Sequence, residues 1–310
     1  MELRKLGPTG LQVSLVGLGC NNFGRRCDAE TTRAVVDRAL EVGINFFDTA
    51  DIYGRGQSEE FLGKALGVRR QTAIVATKFG GAMGADPGSG GASRRHVMRA
   101  IEASLTRLGT DYIDLYQIHF PDTNTPVQET LRALDDCVRQ GKVRYIGCSN
   151  YSGWRLVEAL WVSRSQGLES FVTAQNEYSL LDRRIERDLL EPARSYGIGI
   201  LPFFPLASGL LTGKYRRGAE PPSGSRLAAT TALAERLLTE RNFEKVEKLE
   251  HFAEARGHSL LELAFGWLLS QPQISSVIAG ATRPEQLESN VRAGGYRLTG
   301  ADMLALAPLL

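Results

Sequence analysis

Short apolar runs rich in β-branched residues recur eight times along the chain, and this repetition constrains the fold more than any other feature. The runs cover residues 13–19, 44–49, 73–79, 112–119, 143–149, 171–178, 197–204 and 276–281. Most lie roughly thirty residues apart, the spacing of a βα unit with short connections. The stretches between them carry helical periodicity. Val97, Ile101, Leu105 and Leu108 fall on one face, as do Val127, Leu131, Leu134 and Val138. Gly109 and Gly141 stand where those two helices should stop. Strand–helix alternation repeated eight times favours a closed parallel α/β barrel, the (β/α)8 or TIM barrel, over an open sheet. A chain of 310 residues exceeds the usual domain length but fits one such barrel, so residues 1–310 are expected to form a single domain.

Three segments depart from the repeat. ELRKLGPTGLQVS at the start reads as a hairpin turning at Pro8-Thr9-Gly10, and it is expected to plug the bottom of the barrel. A glycine-rich loop at 80–92 follows the third strand. A long connection follows the seventh and includes the Pro-, Gly- and Arg-rich stretch 215–230. Loops of such length are usually lids or disordered segments, and both are expected over the mouth of the barrel.

Ionisable side chains at the carboxyl ends of consecutive strands are where an α/β barrel builds chemistry. Asp48, Tyr53, Lys78 and His119 stand at the ends of the second, third and fourth runs. A tyrosine can donate a proton if its phenol, normally near pKa ~10, is tuned toward neutrality. A nearby lysine stabilises the phenolate, an aspartate holds the lysine, and a histidine can steer a carbonyl oxygen into the same corner. Such a set is a proton donor in need of a hydride source. Singly, each residue has a plainer explanation: a turn or cap for Asp48, packing for Tyr53, surface for Lys78, a satisfied loop side chain for His119. Together, in barrel register, they favour catalysis.

Composition removes other functions. With 43% hydrophobic and 23% charged residues, the chain is an ordinary globular one able to fill a large core. Net charge +2, with basic pairs scattered at Arg25-Arg26, Arg69-Arg70, Arg94-Arg95 and Arg216-Arg217, argues against a nucleic-acid partner; these pairs read mostly as solvated faces. The four cysteines, Cys20, Cys27, Cys137 and Cys148, show neither metal-type spacing nor a disulfide framework, and no metal site is expected. MELRKLGPTG lacks a signal sequence and no stretch is long enough to span a membrane, so a cytoplasmic location is expected.

The segments GINFFDTADIYGRGQSEEFLGKAL, ATKFG, DLYQIHFPD, TPVQETLRALDDCVRQGKVRYIGCSN, QNEYSLLDR, PLASGLLTGKY and VIAGATRPEQLESN, in this order, resemble the aldo-keto reductases over nearly the whole chain. The resemblance implies a (β/α)8 barrel that reduces aldehydes and ketones with NADPH, less often NADH. Carried over residue by residue, Tyr53 is the general acid, Lys78 and Asp48 lower its effective pKa, and His119 orients the substrate carbonyl.

No Rossmann fingerprint is present, because Asn22 stands where Gly17-Leu18-Gly19 would need its third glycine. Gly19 is instead read as part of the loop under the cofactor. By resemblance, Ser149, Asn150 and Gln175 bind the nicotinamide carboxamide; capping of the next helix is the alternative for Ser149 and Asn150. Phe203 matches the aromatic position that stacks on the nicotinamide ring, with Phe204 as the neighbouring alternative. Leu206, Gly209 and Lys214 resemble the loop over the pyrophosphate, where Lys214 could equally be a surface lysine. Pro284 suits a first helical position, which puts Thr282 and Arg283 at a helix N-terminus that attracts anions. An arginine there suits a 2′-phosphate and points to NADPH. Gln286 and Asn290, one turn apart, would reach the adenosine end.

Phe23, Phe120, Tyr151 and Trp154 are expected to shape the substrate pocket for a small-molecule carbonyl compound, the chain acting as a monomer or simple homo-oligomer. A competing class is a cofactor-binding sensor or regulatory subunit, as in the family's channel-associated β subunits. The intact set of four residues and the short N-terminal segment favour the enzyme. A barrel lyase or isomerase would need a metal or phosphate constellation that the sequence lacks.

Overall fold

Thr9 closes the first turn of the chain. Its hydroxyl donates to Leu6 O (2.8 Å) and accepts from Leu11 N (3.1 Å), which brings β1 (Leu3–Lys5) antiparallel to β2 (Gln12–Ser14). The computed structural model describes residues 1–85 and 88–310; Asp86 and Pro87, of the expected loop at 80–92, lie outside the described residues.

Eight parallel strands follow: β3 (Val16–Gly19), β4 (Phe46–Asp48), β5 (Ile74–Phe79), β6 (Ile113–Ile118), β7 (Val143–Ser149), β8 (Phe171–Glu177), β9 (Gly199–Phe203) and β10 (Val277–Gly280). Each pairs with the next through β9, while β10 pairs with β3. Ile200 completes the circle: its N donates to Gln273 O (2.8 Å) and its O accepts from Ser275 N (3.0 Å). This is the expected (β/α)8 barrel. Every residue of β5 and β6 is buried, as strands covered by side chains inside and helices outside must be.

The expected run 13–19 is two strands. Ser14 ends the hairpin: its N donates to Asn45 Oδ1 (2.7 Å) and its hydroxyl to Val16 O (2.8 Å), so the chain turns before β3 begins. The helices behave as their periodicity requires. Over Arg94–Leu108 the hydroxyl of Ser93 caps the start, Gly109 (φ 62°) ends it, and Val97, Ile101, Leu105 and Leu108 are buried. Over Val127–Arg139, Leu131 and Leu134 are buried while Val127 and Val138 pack half-buried against the core.

The two ends of the barrel differ. Leu6 and Val13 of the hairpin pack with Phe46, Ile74, Ala76, Leu115, Leu201 and Ile278 into an apolar floor separate from the larger core between strands and helices. The opposite end is polar. There the connection after β9 is not a structureless loop; it holds helices Thr231–Leu237 and Glu240–Glu254 before helix Leu260–Leu269. Its irregular part is tied down by Tyr215 Oη accepting from Leu227 N (3.3 Å) and by Arg26 Nη2 donating to Gly224 O (2.5 Å).

Because Leu6 is fully buried in that floor, Leu6→Ala should cost about 2–5 kcal/mol. The expected readout is a lower urea midpoint at unchanged slope.

Candidate active site

Strands β4 and β5 end in Asp48 and, one residue short of the end, Lys78; both lie within the strands rather than past them. Lys78 is fully buried. Its ammonium donates to Asp48 Oδ2 (2.6 Å) and to Thr49 O (2.8 Å). The other oxygen of Asp48 accepts from Gln175 Nε2 (2.7 Å) and Gln117 Nε2 (3.4 Å). The ammonium also sits 5.2 Å from the centroid of the Tyr53 ring.

Tyr53 opens a 3-10 turn whose next three residues, Gly54, Arg55 and Gly56, all have positive φ. Gly54 is required there, since a Cβ would lie 3.0 Å from Phe23 O in a left-handed conformation. His119 follows β6, its N donating to Phe79 O (2.8 Å). Its ring stands edge-on to Tyr53 at 5.7 Å and stacks on Phe120 at 4.3 Å.

The ionisation states follow from burial. Desolvation, with Lys78 beside it, lowers His119 to about 3, so its imidazole is neutral at physiological pH. Burial opposes charge on Lys78, but Asp48 and Tyr53 outweigh it and hold the ammonium above its usual value. The lowered phenol expected for Tyr53 is not the net balance. Burial raises it above 10, Lys78 pulls it down, and Asp48 pushes it up. Tyr53 therefore keeps its proton at neutral pH.

A cleft of about 840 Å³ opens at this end of the barrel, and Asp48, Tyr53 and His119 line it, with the exposed Phe120 at its rim. Gly19, Ser149, Asn150, Gln175, Phe203, Leu206, Gly209, Lys214, Thr282, Arg283, Gln286 and Asn290 line it as well. Lys78 does not; it lies behind the wall. Ser149 and Asn150 cap no helix, since the next one begins after Ser152. Asn150, at φ 60°, donates from Nδ2 to His119 O (2.9 Å). Phe203 and Phe204 meet at right angles, 5.3 Å apart, and both face the cleft. Beyond them Ala207, Ser208 and Gly209 all have positive φ. A Cβ on Gly209 would fall 2.8 Å from Lys214 Cε, so glycine lets Lys214 lie against this loop. Arg283 is the N-cap residue of helix Pro284–Ala293, with Pro284 first inside. Gln286 Oε1 turns back to accept from Thr282 N (2.8 Å).

Three expected pocket residues lie elsewhere. Phe23 is fully buried in the core, because Asn22 O accepts from the N–H groups of Arg25, Arg26 and Cys27 and curls the chain inward. Tyr151 and Trp154 border a separate pocket of about 200 Å³ between the loops after β6 and β7. Conversely, Asn21, Arg25, Arg26, Ser208 and Arg226 line the cleft unforeseen. Arg226 lies over the Phe204 ring at 4.7 Å. Arg25-Arg26 is thus not merely a solvated face. Its only signal was position after a strand end, and Arg226 fell in a stretch without periodicity.

The mouth of this (β/α)8 barrel thus sets a buried Lys–Asp pair behind a protonated tyrosine and a neutral histidine. The model of the Aldo/keto reductase family matches residues 15–309, and the chain belongs to that family. It is 38% identical over 301 residues to a probable voltage-gated potassium channel subunit beta of Oryza sativa subsp. japonica, covering 94% of this chain and 91% of that one. It is 36% identical over 305 residues to L-glyceraldehyde 3-phosphate reductase of Escherichia coli (strain K12), covering 94% and 87%. An uncharacterized oxidoreductase of Bacillus subtilis (strain 168) is 38% identical over 305 residues, covering 94% and 91%.

Lys78→Met strands the buried carboxylate of Asp48 without its cation and should cost about 3–5 kcal/mol. Adding Asp48→Asn should recover much of that loss, giving a strong coupling in a double-mutant cycle followed by urea unfolding.

Proposed function

We propose that the protein is an oxidoreductase that reduces an aldehyde or ketone to the alcohol with NADPH, Tyr53 acting as general acid. The observation that carries this reading is the Lys78 ammonium, fully buried on Asp48 and set against the ring of a still protonated Tyr53. When bound, NADPH supplies the hydride. Tyr53 holds the proton at Oη and releases it to the carbonyl oxygen, and Lys78 stabilises the phenolate that remains. His119 is neutral, so it can offer one N–H to the same oxygen without adding a cation beside Lys78. A placed acid of this kind contributes about 10²–10⁴-fold.

The cleft suits a dinucleotide. Ser208 Oγ is buried there without a partner among the described residues, and Arg283 with Thr282 offers a helix N-terminus to a 2′-phosphate. Ser149, Asn150 and Gln175 would hold the carboxamide and Phe203 the nicotinamide face. Gly19 would underlie the cofactor, Leu206, Gly209 and Lys214 would lie over the pyrophosphate, and Gln286 and Asn290 would meet the adenosine. Phe120, exposed at the rim and stacked on His119, would guide the carbonyl substrate. The four cysteines are free and buried, which suits a reducing cytoplasm. A second reading, a nucleotide-binding subunit that turns over slowly, is favoured by the relatives named as channel β subunits.

Oxidation of NADPH at 340 nm with 4-nitrobenzaldehyde tests both. Tyr53→Phe should lower the rate by about 10²–10⁴-fold while NADPH still binds with wild-type affinity by fluorescence. Full turnover in that variant would sink the assignment. Tight NADPH binding without turnover on a panel of aldehydes and ketones would favour the second reading.

A further inference from the structure

Behind the wall that carries Tyr53 lies a second buried set of ionisable groups that carbonyl reduction, as described above, does not use. Glu59 is fully buried, and both its oxygens are committed: Oε1 accepts from Thr77 Oγ1 (2.5 Å) and Oε2 from Arg107 Nε (2.7 Å). Asp51 is 2% exposed. Its N donates to Lys78 O (3.1 Å), and its Oδ1 accepts from Ile52 N (2.7 Å). The residue therefore joins the turn that presents Tyr53 to the strand that carries Lys78. Asp51 Oδ2 is buried with no partner among the described residues, and so is Tyr116 Oη.

The groups acting on Asp51 are Glu59 from helix Gln57–Leu66, Lys78 from β5, Tyr116 from β6 and Arg107 from helix Arg94–Leu108. A carboxylate given one backbone N–H in a dry site, near a second carboxylate already committed, is costly to keep ionised. We propose that Asp51 is a positioning residue for the Tyr53–Lys78 pair, whose buried, unpartnered carboxyl oxygen holds a proton and whose ionisation weakens proton donation by Tyr53. The proposal rests on the reading of Tyr53 as the acid. A negative charge on Asp51, which interacts with Lys78, offsets the pull of the ammonium on the phenol and makes the phenol a poorer donor. Burial first, then Glu59, raises Asp51 to about 7, against Ile52 N–H, Arg107 and Lys78. His119, lowered to about 3, and Tyr53, held above its ordinary value, do not titrate in that range.

The test is the reduction of 4-nitrobenzaldehyde by NADPH from acid to alkaline pH with wild type, Asp51→Asn and Glu59→Gln, and melting temperatures on the same samples. Wild-type kcat should fall roughly three- to tenfold in a step near pH 7. Asp51→Asn should stay at the acid-side rate, and Glu59→Gln should move the step to lower pH. Stability supplies an independent readout. The folded carboxyl, titrating at about 7, keeps a proton that the unfolded one, near ~3.9, has lost. Wild type therefore loses stability as pH rises between those values, and Asp51→Asn should lack that slope. A wild-type step in Asp51→Asn, or an unchanged melting slope, overturns the proposal. Should no carbonyl be reduced at any pH, the reductase reading fails. The melting slopes then decide alone whether Asp51 holds the proton: loss in Asp51→Asn upholds it, and persistence overturns it.

Discussion

An ammonium with no exposure to water, held 2.6 Å from a carboxylate, sets the terms for the mouth of this barrel. A buried ion pair adds little net stability, because desolvation of both charges offsets their attraction, yet losing one partner is severe. The pair must therefore be satisfied on every side, and four strands contribute. Lys78 in β5 lies beside Gln117 in β6, and Gln175 enters from β8 next to Ser149 of β7. Both glutamine amides reach Asp48 in β4. A slip of one residue in any of these strands would turn a donor away from the carboxylate and out of the barrel. Register and chemistry are the same constraint here.

The asymmetry between the ends of the barrel follows. The floor needs nothing but volume, which the hairpin fills with Leu6 and Val13. The mouth must expose backbone and polar groups at close range, and it does so with residues in the left-handed region: Gly54 and Gly56 beside Tyr53, Asn150 after β7, and Phe204, Ala207, Ser208 and Gly209 after β9. Left-handed non-glycine residues cost of order 1–3 kcal/mol each and cluster at functional sites. They persist here because the flanking strands and the buried pair over-determine the loops between them.

Much of this was legible in the sequence. Eight apolar runs located eight barrel strands, and the stripes Val97–Leu108 and Val127–Val138 located two helix faces. Side chains at strand ends also located themselves, because a parallel barrel sends all eight carboxyl ends to one mouth. Where sequence failed, the missing information was orientation rather than position. Phe23 sits beside the cleft-lining Asn21 and Asn22, but three N–H groups converging on Asn22 O roll its ring into the core. Trp154 follows the Ser149–Asn150 corner, yet it lies on a helix whose outer face leaves it 62% exposed. The division of 13–19 depended on Ser14 meeting Asn45, a contact between residues far apart in sequence. Arg226 belongs to an aperiodic stretch whose path is set by Tyr215 and Arg26, and no local pattern encodes that.

The distribution of charge carries the argument beyond single residues. Most basic pairs in the sequence are neutralised on the fold: Arg69 meets Asp37, Arg70 meets Asp114, Arg94 meets Asp136, and Arg216 and Arg217 meet Glu250 and Glu247. Arg25, Arg26, Lys214, Arg226 and Arg283 form no ion pair among the described residues, and all five line the cleft. A net charge of +2 thus hides a concentrated positive field at the mouth. Such a field favours a polyanion and speeds its capture, which suits a phosphorylated dinucleotide in either reading proposed for this chain. The two readings then differ not in what binds but in how fast the bound nucleotide leaves. In many enzymes release, rather than chemistry, limits turnover. In either reading, cations that held a nucleotide would also slow its exit, so changes at the rim could move such a barrel between reductase and sensor while Asp48, Tyr53, Lys78 and His119 stayed as they are.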